Sequence, residues 1–250
     1  MYHLTGVTKH YRSGGEPVRA LDGIELYVPD GGALAVQGPP GAGASTLLRI
    51  LGGLERPTRG RVLLDGTDLA TVTASRLDRI RAESIGLLGT GDGDHPGPVA
   101  GLTVRQGVAA ALAPLRLRPA DRWELAGEAL TEVGLAGQGD LLPGQLDPYA
   151  RRRAALARAL VKRPTVLLAD RPTEGLSPPA AAEFAELLVR VWGGYRLTCV
   201  LATDDEALAG RLGRRVVLRG GRVADARWVA GTGQAPAPGV RGTPAGRRGP

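Results

Sequence analysis

The stretch "AVQGPPGAGASTLLRIL", Ala35 to Leu51, decides the fold. It reads as a buried strand, a glycine-rich turn and the start of a helix, which is the layout of a phosphate-cradling loop. The pattern for such a loop is G-x-x-x-x-G-K-[ST]. Gly38, Gly43 and Ser45 fall on it, and Ala44 stands where the lysine belongs. Gly41 adds a further point of backbone freedom, and Thr46 a second hydroxyl.

Strands and helices alternate outward from this loop. Upstream, "MYHLTGVTKHY" and "ALDGIELYVPDGGALAVQG" read as an antiparallel edge feeding a buried parallel strand. Downstream, Leu47, Leu48, Ile50, Leu51 and Leu54 form an apolar helix face that loosens at Gly52-Gly53. "GRVLLDGTDLA" reads as a strand and turn.

From about Leu102 the character turns helical. Trp123, Ala126, Leu130 and Val133 fall on one helix face, and "ARRRAALARALVKRP" is a second helix stopped by Pro164. "TVLLAD" and "TCVLATDD" are buried parallel strands ending in acids. The helix between them starts at Ser177 as N-cap, has prolines in its first turn, and carries Phe184, Leu187, Leu188 and Val191 on its core face. "RRVVLRGGRVAD" is a hairpin turning at Gly220-Gly221.

Composition narrows the function classes. The chain has 250 residues, 43% of them apolar, enough to bury one large core. Its net charge of +7 falls to +4 without Arg241, Arg247 and Arg248 of the acid-free tail. Aromatics at 4% are too few for a base-stacking platform, so nucleic acid is not an expected partner. No run reaches the ~20 apolar residues of a membrane span, and the N-terminus does not read as a signal peptide. Direct membrane insertion is therefore not expected. Cys199, the single cysteine, sits in an apolar run and reads as a small buried hydrophobe. The three histidines, His3, His10 and His95, read as solvated. Lys9 and Lys162 are the only lysines, and neither is near Ala44 in sequence.

The order of "STLLRILGGLERPTRGRVLLDGTDLA", "IGLL", "LTVRQGV" and "RAALARALVKRPTVLLADRPTEGLS" resembles the nucleotide-binding subunit of an ATP-binding cassette (ABC) transporter over roughly residues 2–226. The nearest branch is lipoprotein release and macrolide export. The resemblance implies an α/β, P-loop NTPase-like cassette: a mostly parallel core sheet, an antiparallel β subdomain and a helical subdomain. The boundaries it implies are a nucleotide-binding domain over 1–228, the helical insert at about 90–163, and a disordered Pro/Gly/Arg tail over 229–250.

It also implies a list of working parts. Tyr11 falls where the family stacks an aromatic on adenine. Gly38, Gly41, Gly43, Ala44, Ser45 and Thr46 occupy the phosphate loop, with Ser45 and Asp170 at the Mg²⁺ positions. Ala44 removes a charged hydrogen bond to phosphate worth ~1.5–3 kcal/mol, an affinity loss of roughly one to two orders of magnitude. Thr90 stands in place of the glutamine that senses the γ-phosphate. "LDPYA", Leu146 to Ala150, replaces the "LSGGQ" signature, setting Asp147, Pro148 and Tyr149 where hydroxyl and N–H groups clasp phosphate. Arg171 replaces the glutamate that polarises water and cannot act as a base. Ser177 replaces the intersubunit aspartate and Asp204 the switch histidine. An ion pair between Arg171 and Asp204 across the γ-phosphate position is the expected consequence of that double change, with Arg171 on a bound phosphate as the alternative.

The expectation is thus a cassette that holds ATP and Mg²⁺ weakly or not at all and has lost hydrolysis. It would act beside a membrane permease subunit, as a homodimer or a heterodimer with another cassette. Its place would be cytoplasmic, peripheral on the inner face of the membrane. An ordinary transport ATPase and a soluble scaffold without a transporter are the alternatives.

Overall fold

The computed structural model describes residues 1–13, 16–89 and 101–228. Thr90, His95 and the 229–250 tail lie outside them. Strands β1 (Tyr2–Ser13) and β2 (Glu16–Val28) pair antiparallel, and β3 (Ala33–Gln37) runs into the glycine-rich loop and α1 (Ala44–Leu51). β4 (Arg59–Leu64) and β5 (Thr67–Asp68) complete a four-stranded antiparallel sheet in the order β2-β1-β4-β5. Helix α2 (Ala74–Ser84) leads to β6 (Ile85–Leu88). The helical stretch follows as α3 (Val104–Ala110), α4 (Pro119–Glu132) and α5 (Pro148–Leu160). The chain then alternates: β7 (Val166–Asp170), α6 (Pro178–Tyr195), β8 (Thr198–Ala202) and α7 (Glu206–Gly210). It ends in the hairpin of β9 (Arg214–Arg219) and β10 (Arg222–Trp228).

The second sheet has the order β10-β9-β3-β8-β7-β6, parallel except at the β9–β10 edge. The central strands β3, β8 and β7 carry unbroken apolar runs of four residues, because both faces are covered. Alternation then assigns each residue to one of two cores. Leu34, Val36, Val166, Leu168 and Val200 face α1 and the antiparallel sheet, whereas Ala33, Ala35, Leu167, Ala169, Cys199 and Leu201 face α3 to α6. Burial pushes the Cys199 thiol up to about 12, so it is a packing atom. Phe184, Leu187, Leu188 and Val191 of α6 are buried, matching the apolar face read from the sequence.

The hairpin turns at Gly220 and Gly221, with φ of 53° and 75°, the doubly positive turn that suits the twist of paired strands. Two readings differ from the structure, and one helix was not read from the sequence. Trp123 is 39% exposed, because Arg105 lies across α4: its guanidinium sits 4.4 Å from the indole centroid and donates to the Trp123 carbonyl. Leu54 lies beyond the end of α1, which stops at Leu51 with Gly52 as C-cap. Helix α2 gave no periodic signal, since Leu77 is its one fully buried side chain.

Candidate functional site

The glycine-rich loop joins β3 to α1 at the carboxyl end of the parallel sheet, where open α/β sheets place their ligands. Helix α1 is fixed by Leu47, Leu48, Ile50 and Leu51 in the core and by the Tyr2 hydroxyl, which donates to the Leu51 carbonyl at 2.8 Å. Its N-cap is Gly43, which offers no side chain, so the first-turn N–H groups point out without intrahelical partners. That is an anion nest.

The glycines answer to packing as well as to phosphate. Gly43 has φ of 101°, and a Cβ there would meet the Ala20 carbonyl oxygen at 2.2 Å. A Cβ on Gly38 would meet the Leu218 carbonyl oxygen at 2.6 Å. The loop is also tied to the β9–β10 turn, Gly221 N–H donating to the Ala42 carbonyl.

A cleft of about 360 Å³ opens over this loop. It gathers Tyr11, Gly38, Gly41, Gly43, Ala44, Ser45, Thr46, Arg171 and Asp204 on one surface, together with Val18 and Thr203. Among the described residues, Arg171 is the one cationic side chain in its lining and Asp204 the one acid. Asp170 sits just beneath, its Oδ1 accepting from the Ser45 hydroxyl at 3.1 Å. A hydroxyl and a carboxylate in contact beside an anion nest are the oxygen donors that suit Mg²⁺ held with a phosphate. Among the described residues no cluster of three His, Cys, Asp or Glu side chains forms a metal site independent of such a ligand.

Tyr11 is pinned at the cleft edge. Its hydroxyl donates to Glu55 at 2.6 Å, and Glu55 also takes Lys9 at 3.0 Å and Arg49 at 3.5 Å. Lys9 lies 5.1 Å from the Tyr11 ring centroid. Burial, then the hydrogen bond to Glu55, raises the phenol above its ordinary range. Burial raises the Glu55 carboxyl too, but the hydrogen bonds from Tyr11 and Lys9 and the charges of Lys9 and Arg49 outweigh it and hold it below its usual value.

At the end of β7 the chain turns sharply. Arg171 takes a left-handed backbone, φ 44°, uncommon for a residue with a Cβ. Its N–H donates to the Ala202 carbonyl at 2.8 Å, and Arg152 of α5 donates to the carbonyls of Arg171 (3.3 Å) and Glu174 (2.8 Å). The expected ion pair with Asp204 is not made. The Arg171 guanidinium binds Glu174 at 3.0 Å instead, three residues on and reachable within the same loop. That hydrogen bond, outweighing burial and helped by the charges of Glu174, Asp170 and Asp204, raises the guanidinium's pKa further. Asp204 is exposed, while Asp205 beside it caps α7 and accepts from Thr173 at 3.1 Å.

Ser177 is the N-cap of α6 by position but makes no capping hydrogen bond, and Pro178 and Pro179 follow it without N–H groups. "LDPYA" is likewise a helix start. Asp147 caps α5, its Oδ1 accepting from Ala150 N–H at 2.7 Å, with Pro148 at the first helical position. Tyr149 packs edge-on against Phe184, ring centroids 6.4 Å apart, under the Arg153 guanidinium. The segment therefore carries its own anion where a phosphate would sit against a helix N-terminus. Glu174, Arg152 and Asp147 were not singled out for these contacts by sequence; Asp before Pro is a cap signal that marks the last of them.

Residues 21–174 match the ABC transporter family. The chain belongs to that family. It is 39% identical over 223 residues to the lipoprotein-releasing system ATP-binding protein LolD of Geobacter metallireducens, covering 89% of this chain and 97% of that one. It is 34% identical to the methionine import ATP-binding protein MetN of Geobacillus kaustophilus over 90% of its own length, and spans 65% of that protein. The macrolide export ATP-binding/permease protein MacB of Hyphomonas neptunium is 33% identical over 89% of this chain, which spans 34% of it. Among solved structures, the dimeric ATP-binding cassette MJ0796 in a post-hydrolysis state bound to ADP and Pi superposes with a TM-score of 0.85. That match has 30% identity and covers 92% of this chain and all of that one. The cassette thus has the ABC fold, and its family binds ATP with Mg²⁺ and works beside membrane permeases. Among the described residues no helix is long and apolar enough to cross a membrane.

Proposed function

We propose that this cassette is a non-hydrolysing subunit of an ABC transporter of the export or lipoprotein-release type. It would bind Mg-ATP weakly, through the α1 nest with Ser45 and Asp170, and stabilise or regulate a permease at the inner face of the membrane. The observation that carries the reading is Arg171, next to Asp170 at the cleft, where the family's base should stand. A guanidinium stays protonated at any ordinary pH and cannot draw a proton from water. Ala44, Asp147, Ser177 and Asp204 add to the same reading, as does Thr90, which lies outside the described residues.

We further assign residues 1–228 to the nucleotide-binding domain, about 90–163 to its helical insert and 229–250 to a Pro/Gly/Arg tail. A dimer with itself would carry two impaired sites. A dimer with an intact cassette would still lack the lysine and glutamate in one site and the signature in the other.

A second reading, an ordinary ATP-hydrolysing subunit, draws on the retained Ser45–Asp170 contact and on the ATP-binding relatives. Phosphate release by the purified chain decides between them. Co-purification of a permease tests the transporter role.

A further inference from the structure

The cleft over the glycine-rich loop lacks the lysine that would face a polyphosphate from α1, yet it is not without a cation. Arg171, the residue after β7, lines the same cleft as Ala44. Its backbone is held in a left-handed conformation by the Ala202 carbonyl on one side and by Arg152 on the other. Conformations of that kind persist only where the surroundings over-determine them, at a cost of roughly 1–3 kcal/mol. Here they turn an arginine side chain to the cleft mouth.

Its present partner is a weak one. The Arg171–Glu174 pair is half exposed, 39% and 48% for the two side chains, and exposed pairs of this kind contribute little in water. A polyphosphate at the α1 nest presents several charges and planar pairs of oxygens, the geometry a guanidinium binds with two parallel hydrogen bonds. The charges of Asp170 and Asp204 also act on the guanidinium, and Asp204 lies in the cleft lining.

We infer that Arg171 is the phosphate-binding cation of this cleft, supplying from the β7 side the charge that Ala44 does not, and that Glu174 holds it until a nucleoside polyphosphate displaces the carboxylate. The inference rests on the non-hydrolysing reading: the residue that removes the base also restores affinity for the anion. It makes the ligand a nucleoside di- or triphosphate retained without turnover.

The test is equilibrium binding of Mg-ATP and of inorganic tripolyphosphate to the full chain, beside Arg171→Gly, Arg171→Lys and Glu174→Gln. Glycine suits the left-handed backbone, so Arg171→Gly removes the charge without new strain. Unchanged thermal melting confirms that each variant is folded. The expected result is tenfold or greater weakening of both ligands in Arg171→Gly, a smaller loss in Arg171→Lys, and severalfold tightening in Glu174→Gln. Wild-type affinity in Arg171→Gly, no tightening in Glu174→Gln, or no binding by the wild type at millimolar ligand would each overturn it. Phosphate release from ATP by the wild type is a separate readout that fails the non-hydrolysing reading alone.

Discussion

The hydroxyl of Ser45, in the first turn of α1, donates to Oδ1 of Asp170 at the end of β7 across 3.1 Å. Two residues 125 apart in sequence meet because β3 and β7 flank β8 and end on the same edge of the sheet. A hydroxyl and a carboxylate are thereby paired beside the N-terminus of α1, and the residue that follows Asp170 is an arginine.

Ala44→Lys is expected to tighten Mg-ATP by roughly ten- to a hundredfold, the value of one charged hydrogen bond to phosphate. It is expected to leave phosphate release at background, since Arg171 still cannot accept a proton. Titration calorimetry and a phosphate-release assay on the same sample read the two effects separately.

Asp147→Ala removes the cap of α5 and is expected to cost about 1 kcal/mol, with a melting temperature lower by about 2–4 °C. Asp147→Ser, still a capping residue, should recover most of it. A loss confined to Ala and absent in Ser identifies the carboxylate as a cap; equal losses in both contradict that role.

Lys162 supplies a pH signature. Its ammonium donates to the Arg81 carbonyl at 2.5 Å, and burial, then the charges of Arg158 and Arg81, lowers its pKa from 10.5 to about 8. Between those values the unfolded chain binds more protons than the folded one, so this group's contribution to stability rises with pH across the window from about 8 to 10.5. Chemical denaturation of wild type and Lys162→Met across that window should show the wild type gaining on the variant. A constant difference would contradict the lowered value.

Much of this was legible in the sequence because apolar period and turn chemistry act locally. The runs "TVLLAD" and "TCVLATDD" could only be strands covered on both faces, and Gly220-Gly221 only a tight turn. Phe184 and its neighbours on α6 follow the helical period into the core. What was not legible depends on who stands opposite. Trp123 leaves the core because Arg105, eighteen residues earlier, stacks on it and takes its carbonyl. Ser177 holds the N-cap position without a side-chain bond, which its residue type does not announce. Arg171 was expected to reach across the cleft to Asp204, but it pairs with a carboxylate three residues along its own loop. That "LDPYA", in the place of the phosphate clasp, also starts a helix capped by Asp147 is seen only in the fold.

The most direct measurement is Mg-ATP-dependent phosphate release by the purified chain, run beside Asp170→Asn. The account predicts a rate in the wild type no higher than in the variant. Turnover well above that background, abolished by Asp170→Asn, would contradict it and make this cassette an ordinary transport ATPase.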